Sequence, residues 1–94
     1  MAFYVYILAS GRNGTLYTGS TDDVGRRVYE HREKIRESFT SKYDVARLVW
    51  YESHETRESA FTRERRIKGW RRVWKLDLIE KMNPGWNDHF DTLS

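Results

Sequence analysis

No cysteine is present among the 94 residues of the chain, so neither a disulfide nor a thiolate metal site can form. Long apolar runs are missing too. The most apolar opening stretch, residues 2–9, is too short to cross a membrane and has no basic segment in front of it, which argues against a secretory signal. We therefore expect a cytoplasmic protein that is not attached to a membrane.

Repeats, linkers and low-complexity stretches are also absent, and we expect one domain over residues 1–94. A domain of this size buries only about two-thirds of its unfolded surface, so its core has to be efficient. Four Trp, six Tyr and four Phe can supply that core, because each aromatic side chain buries a large apolar area.

The formal net charge of +3 is small, but the charge is unevenly distributed. Residues 63–75 read RERRIKGWRRVWK, whereas residues 77–94 are net acidic. A basic cluster interleaved with tryptophans is typical of proteins that bind a phosphate backbone. A solvated helix face with Trp70 and Trp74 turned into the core would explain the same pattern. The candidate cations for binding nucleic acid are Arg12, Lys42, Arg66, Lys68, Arg71 and Arg72.

Local patterns predict an α+β domain with the element order ββαβαα. Residues 3–8 are rich in aromatic and β-branched side chains, as in a buried strand, and Asn13-Gly14 is a strong hairpin signal. This order favours a three-stranded, mainly antiparallel sheet flanked by helices. The predicted strands are 3–8, 16–20 and 46–53, the predicted helices are 24–36, 56–68 and 71–81, and residues 38–44 form a polar loop.

Two tyrosines stand at corresponding places in the predicted hairpin. Alternation along a strand puts Tyr4, Tyr6 and Leu8 on one face of the first strand, and Tyr17 and Gly19 on one face of the second. If these faces are in register, two phenols lie side by side, and Gly19 lets another group approach the backbone closely. Tyrosine favours strands in any case, so simple core packing is the alternative.

The first predicted helix adds a cation and an imidazole. Arg27 and His31 are four residues apart and therefore share one face of the helix, beside an apolar stripe of Val24 and Val28. We expect both polar groups at the edge of the buried side. A partly buried structural histidine is the alternative interpretation of His31.

The second predicted helix places a carboxylate among hydrophobic residues. Its core face is marked by Ala60, Phe61, Ile67 and Trp70. Glu64 lies within that stripe, and a buried carboxylate is costly unless it is protonated, paired with an arginine or bound to a metal. A salt bridge to Arg27 and a metal site are the two hypotheses.

Taken in order, these motifs resemble the GIY-YIG nuclease superfamily. Residues 4–6 (YVY) and 17–19 (YTG) are ten residues apart, like the pair of motifs that names the family, and are followed by Arg26-Arg27, His31 and the helix segment 63–68. Tyr4 and Thr18 depart from the family's Gly and Ile. Residues 39–43, 48–52 and 83–86 are similar to its small stand-alone bacterial branch, predicted endonucleases containing a URI-type domain.

The resemblance implies the chemistry of the site. Tyr17 would be the general base, Tyr6 would orient the water or a phosphate oxygen, and Arg27 would stabilise the charge of the transition state. An unperturbed phenol has a pKa of about 10, so a phenol that acts as a base needs cations nearby. Glu64 would be the single protein ligand of a Mg²⁺ ion, with Mn²⁺ as an alternative.

His31 and one asparagine complete the implied catalytic set. His31 would assist proton transfer or hold a phosphate. The family's last catalytic position is an asparagine near the end of the domain, for which we prefer Asn83 to Asn87.

These observations predict a Mg²⁺-dependent endonuclease that hydrolyses phosphodiester bonds in DNA and needs no small-molecule cofactor. Repair, recombination and the processing of structured or single-stranded DNA are all compatible contexts. A non-catalytic nucleic-acid-binding module, or a domain that recruits another nuclease, is the alternative. All the catalytic residue types are present, which favours the enzyme.

Overall fold

A computed structural model describes residues 2–33 and 44–90 of the chain. Its elements are β1 (Phe3–Ala9), β2 (Leu16–Thr21), α1 (Val24–Arg32), β3 (Arg47–His54), α2 (Arg57–Lys68) and α3 (Arg72–Met82). The predicted order ββαβαα is confirmed. Residues 34–36 of the first predicted helix, and all of the predicted loop except Asp44, lie outside the described residues. Within the described ranges, no helix has the length and apolar character needed to cross a membrane.

The three strands form one antiparallel sheet with the order β2-β1-β3. The first strand of the chain is therefore the central one, and β2 is an edge strand. The β1–β2 loop is closed by a hydrogen bond from Ser10 N to Thr15 O (3.0 Å). Asn13 has a positive φ of 56°, as expected, but Gly14 does not, so the connection is longer than a two-residue turn.

The sheet separates two hydrophobic clusters. Along β1, Val5 and Ile7 face one way, whereas Tyr6 and Leu8 face the other, as strand alternation requires. On the α2/α3 face, the residues of β1 pack against Ala60, Ile67 and Ile79 of the two later helices. On the α1 face, the buried partners are Val24, Val28, Val45 and Leu48.

The helices α1 and α2, which carry predicted site residues, each begin at a short polar side chain. Asp23 caps α1 by accepting a hydrogen bond from Arg26 N (3.0 Å), and Thr56 caps α2 by accepting one from Ser59 N (3.1 Å). Both caps satisfy backbone N–H groups that the first turn of a helix leaves unpaired. The helix starts predicted at these positions are confirmed.

The buried side of α2 is narrower than predicted. Ala60, Glu64 and Ile67 are buried, at the spacing of one helix face. Phe61 is 51% exposed, so its assignment to the core face was wrong. One residue along a helix turns the side chain by about 100°, which takes Phe61 away from the sheet beside Ala60. Trp70 follows the end of α2 and packs against the α2/α3 cluster, whereas Trp74 is exposed.

Candidate active site

The predicted tyrosine pair exists on the α1 face. In the β1–β2 register Tyr6 is opposite Gly19 and Leu8 is opposite Tyr17, and the two phenol rings have centroids 6.3 Å apart. A Cβ atom at Gly19 would lie 2.5 Å from the hydroxyl oxygen of Tyr6 and 2.7 Å from its Cζ. The group that approaches the backbone of Gly19 is therefore the phenol of Tyr6, and only glycine leaves room for it.

The two phenols differ in their burial. Tyr6 is 2% exposed, and this burial raises the pKa of its phenol; the Tyr17 phenol raises it further, and the nearby Arg27 guanidinium partly opposes the shift. At neutral pH the Tyr6 hydroxyl thus keeps its proton and can donate a hydrogen bond. Tyr17 is only half-buried and can be reached from solvent.

The side chain of His31 completes a group of three rings. Its ring centroid is 5.5 Å from that of Tyr17 and 6.4 Å from that of Tyr6. Burial lowers the pKa of the His31 imidazole; Arg27 adds to this shift, whereas Glu30 opposes it. The imidazole is therefore neutral at neutral pH, which suits an acceptor of protons better than a cationic phosphate ligand. Arg27 also lies 3.7 Å from a carboxylate oxygen of Glu30.

Glu64 is buried, at 8% exposure, and both of its carboxylate oxygens are engaged. The Ser20 hydroxyl donates to Oε1 (2.5 Å), and the Lys68 ammonium is 2.6 Å from Oε2. The hypothesis of a salt bridge to Arg27 is thus wrong in its partner, because the cation paired with Glu64 is Lys68, one helical turn further along. The same ammonium lies 5.9 Å from the ring centroid of Tyr17.

The candidate site has residues on both faces of the edge strand β2. Tyr17 and Gly19 point to the α1 face, whereas Ser20 meets Glu64 of α2 on the other side. Ser20 was not predicted from the sequence, because the two residues of β2 that were singled out, Tyr17 and Gly19, both lie on the α1 face. Its position in the sequence was the available signal. Ser20 directly follows the YTG segment, so strand alternation points its side chain to the face of the sheet opposite to that of Gly19, which is the face that α2 covers.

The donor set fits a divalent ion that keeps most of its own water. Among the residues that the structure describes, no three His, Cys, Asp or Glu side chains form a cluster that could hold a metal. Mg²⁺ is usually bound by one or two carboxylates, with water and substrate phosphate as its other ligands. The Glu64 carboxylate already attracts a cation at Oε2, so its position and charge fit such an ion.

Asn83 lies elsewhere in the fold. Its amide nitrogen donates to the carbonyl oxygens of Val49 (3.0 Å) and Asn87 (2.8 Å), and its Oδ1 accepts from Asn87 N (3.0 Å). These bonds fix the chain after α3 to β3, which is separated from β2 by β1. The structure does not bring Asn83 to the tyrosines, and its catalytic role stays a prediction.

Most of the predicted nucleic-acid-binding cations are on the surface. Arg66 and Lys68 are on α2, Arg71 precedes α3, Arg12 is in the hairpin loop, and all four are exposed. Lys42 lies outside the described residues. Their contact with DNA stays a prediction.

Arg72 has a contact within the protein. Its guanidinium donates to the carbonyl oxygens of Asn13 (2.8 Å) and Gly14 (2.6 Å). It therefore ties the start of α3 to the hairpin loop, which makes it less available to phosphate than its neighbour Arg71.

A known family model covers most of this chain. The model of the GIY-YIG catalytic domain matches residues 2–77. The chain belongs to the GIY-YIG family. Its fold is accordingly that of a nuclease family, and the matched range includes both tyrosines and Glu64 but ends before Asn83.

Small proteins of several organisms are similar to this chain. A UPF0213 protein of Haloquadratum walsbyi is 40% identical over 78 residues, which cover 83% of this chain and 86% of the relative. A UPF0213 protein of Staphylococcus aureus is 37% identical over 78 residues, or 83% and 94% of the two chains. The solution NMR structure of a UPF0213 protein from Bacillus halodurans superposes with a TM-score of 0.58 at 31% identity, covering 94% of this chain and 93% of that one. The predicted resemblance to small stand-alone GIY-YIG proteins is confirmed.

Proposed function

We propose that this protein is a Mg²⁺-dependent endonuclease that hydrolyses phosphodiester bonds in DNA. The proposal rests above all on the junction at the edge of β2, where the Lys68 ammonium lies 2.6 Å from the buried Glu64 carboxylate and 5.9 Å from the ring centroid of Tyr17. A metal ligand and a phenolic base are thus near enough to act on one phosphate. Membership of a nuclease family supports DNA as the substrate.

The two phenols take different roles because their environments differ. Tyr17 is the half-buried phenol: it gives its own hydroxyl proton to the neutral His31 imidazole and accepts the proton of the attacking water. Tyr6 keeps its proton, so it donates a hydrogen bond to the water or to a phosphate oxygen. His31 is neutral and lies against the Tyr17 ring, where it can take the proton onward to solvent.

The charged residues act on the phosphate. Arg27 approaches from α1 and stabilises the negative charge that develops in the transition state. Glu64 would hold a Mg²⁺ ion, and that ion would supply Lewis-acid stabilisation of the charge on the phosphate. Ser20 keeps the carboxylate in one orientation by its hydrogen bond to Oε1. The exposed cations of α2 and of the segment before α3 hold the DNA backbone.

The decisive experiment is cleavage of labelled duplex, branched and single-stranded oligonucleotides in Mg²⁺, in Mn²⁺ and in chelator. We expect metal-dependent cleavage of at least one substrate. Glu64→Gln keeps the shape of the side chain and removes its charge, so it should abolish cleavage and leave DNA binding nearly intact, because the transition state gains most from the ion. The matched control is Glu55→Gln, which makes the same charge change at an exposed position.

Two results would contradict the proposal. Wild-type cleavage by a folded Glu64→Gln protein would refute the metal assignment. Absence of product from the wild type on every substrate, together with tight binding, would indicate the non-catalytic module instead.

A further inference from the structure

The pair formed by Glu64 and Lys68 is asymmetric. The side chain of Glu64 is 11% exposed and is fixed by the Ser20 hydroxyl, whereas the side chain of Lys68 is 49% exposed. A lysine ammonium sits on a flexible four-carbon stem and is strongly hydrated, so it can turn into water at little cost. Of the two partners, only Lys68 can leave.

While Glu64 is ionised, its buried carboxylate is stabilised by a cation. A buried charge without a partner is strongly destabilising, and Lys68 supplies that partner at Oε2. The order of the two residues, with glutamate four positions before lysine, is the favourable one on a helix. Lys68 therefore stabilises the fold through the same oxygen that a metal ion would use.

A divalent ion bound at that oxygen would compete with the ammonium. Mg²⁺ binds oxygen at about 2.1 Å, and the ammonium is 2.6 Å from Oε2. Two cations held so close to one atom repel each other strongly in a partly buried site. Oε1 already accepts the hydrogen bond from Ser20, so Oε2 is the oxygen at which the ion and the ammonium would compete.

We propose that Lys68 is a displaceable cation of the metal site: it holds Glu64 Oε2 until a divalent ion takes that oxygen, and binding of the ion frees the ammonium beside Tyr17. The inference rests on the proposed function, because it assumes that Glu64 is a metal ligand. It adds a competition that sets metal affinity, and it makes Lys68 a cation that is available near the phenol and the DNA phosphate only after the ion is bound.

Direct binding of Mn²⁺, measured without DNA by calorimetry and by the EPR signal of the free ion, tests the competition. Lys68→Met keeps the methylene stem and removes the charge. We expect its Mn²⁺ dissociation constant to fall by about 5- to 150-fold, the usual range for coupled sites. Lys81→Met, which removes an exposed charge from α3, should bind like the wild type.

Thermal unfolding gives a second reading that is independent of activity. In chelator, Lys68→Met should melt below the wild type, because Glu64 has lost its counter-charge. Saturating Mn²⁺ should raise its melting temperature by more than it raises that of the wild type, since the ion binds the folded state more tightly. Rescue of folding by Mn²⁺ would count for the proposal even if Lys68→Met were unfolded in chelator.

Lys68→Arg separates charge from side-chain identity. It keeps a cation that can pair with the carboxylate, so its Mn²⁺ affinity should be no higher than that of the wild type. A folded Lys68→Met protein with unchanged or weaker Mn²⁺ affinity would overturn the inference, as would a Lys68→Arg protein that binds as tightly as Lys68→Met.

The metal measurement also distinguishes this inference from the proposed function. A wild type that binds Mn²⁺ through Glu64 and cleaves nothing would refute the endonuclease, while the competition would still be supported or overturned by the affinities of the variants. A wild type with no Mn²⁺ binding, or binding that Glu64→Gln leaves unchanged, would overturn the inference and the metal assignment together.

Discussion

The two faces of the sheet bury different kinds of side chain, although the same central strand supplies both. On the α2/α3 face, Val5 and Ile7 pack against hydrocarbon side chains such as Ile67 and Ile79. On the α1 face, Tyr6 and its neighbours bury phenolic oxygens beside an imidazole and a guanidinium. The first arrangement stabilises the fold by removing apolar surface from water. The second shifts the pKa values of the phenol of Tyr6 and the imidazole of His31.

Glu64 is the exception that joins the two faces. Its helix packs on the α2/α3 face, but its carboxylate reaches Ser20 at the edge of the sheet. The proposed site thus draws its phenols from one face and its metal ligand from the other. Substitutions that touch only one face should separate catalysis from stability.

Tyr17→Phe should give the largest separation. It removes one oxygen and keeps the ring, so the melting temperature should stay near that of the wild type. The cleavage rate at saturating Mg²⁺ should fall by about 10²–10⁴, the usual contribution of general acid–base catalysis. Tyr29→Phe, which changes an exposed tyrosine of α1, is the matched control and should cleave normally. A Tyr17→Phe protein as fast as the wild type would leave Tyr17 as a packing residue only.

Asn83→Ala should have the opposite signature. It leaves the Val49 carbonyl and backbone groups of Asn87 without their partner, at a cost of about 1–3 kcal/mol in the free energy of unfolding for each buried group. Urea unfolding measures that loss, and Asn87→Ala, at an exposed position, is the comparison. If the amide serves only these contacts, cleavage per folded molecule should stay near that of the wild type. A drop of about 10²-fold in a folded protein would instead support the catalytic role predicted from the family resemblance.

The smallest expected effect separates two adjacent cations. Arg71→Gln should weaken binding to many DNA sequences alike and lower the slope of log affinity against log salt by about one unit. Arg72→Gln should change that slope less and the melting temperature more, since its guanidinium bonds to the hairpin loop. Equal slopes for Arg71→Gln and the wild type would show that Arg71 does not contact phosphate.

The features that the sequence predicted correctly depend on short-range periodicity. Alternation along two strands was enough to place Tyr6, Tyr17 and Gly19 together, because a hairpin leaves few possible registers. Helical spacing was likewise enough to predict that Glu64 is buried. The same spacing gave a wrong prediction for Phe61. A helical stripe of this width is compatible with more than one buried face, and only the packing decides which residues are buried.

The partners of Glu64 show where sequence reasoning failed. Its hydrogen bond to Ser20 joins residues 44 positions apart, and no local pattern specifies which side of an edge strand a helix will reach. The pair with Lys68 has the favourable i, i+4 spacing, which the hypothesis of a salt bridge to Arg27 did not use. Asn83 shows a different limit. The family resemblance predicts a catalytic asparagine at this place, whereas in the structure its side-chain amide bonds to the backbone of Val49 and Asn87. The sequence does not distinguish these two roles.

The order of the strands has a consequence for the nascent chain. Of the three strands, the central one is synthesised first, and its second neighbour β3 follows only at residues 47–54. A partial chain therefore exposes an unpaired strand edge, which invites aggregation until β3 is present. The carboxylate that would bind the ion arrives later still, on the helix that completes the α2/α3 core. An incomplete chain thus carries the phenols without the Glu64 carboxylate, and the proposed site is assembled only in the finished fold.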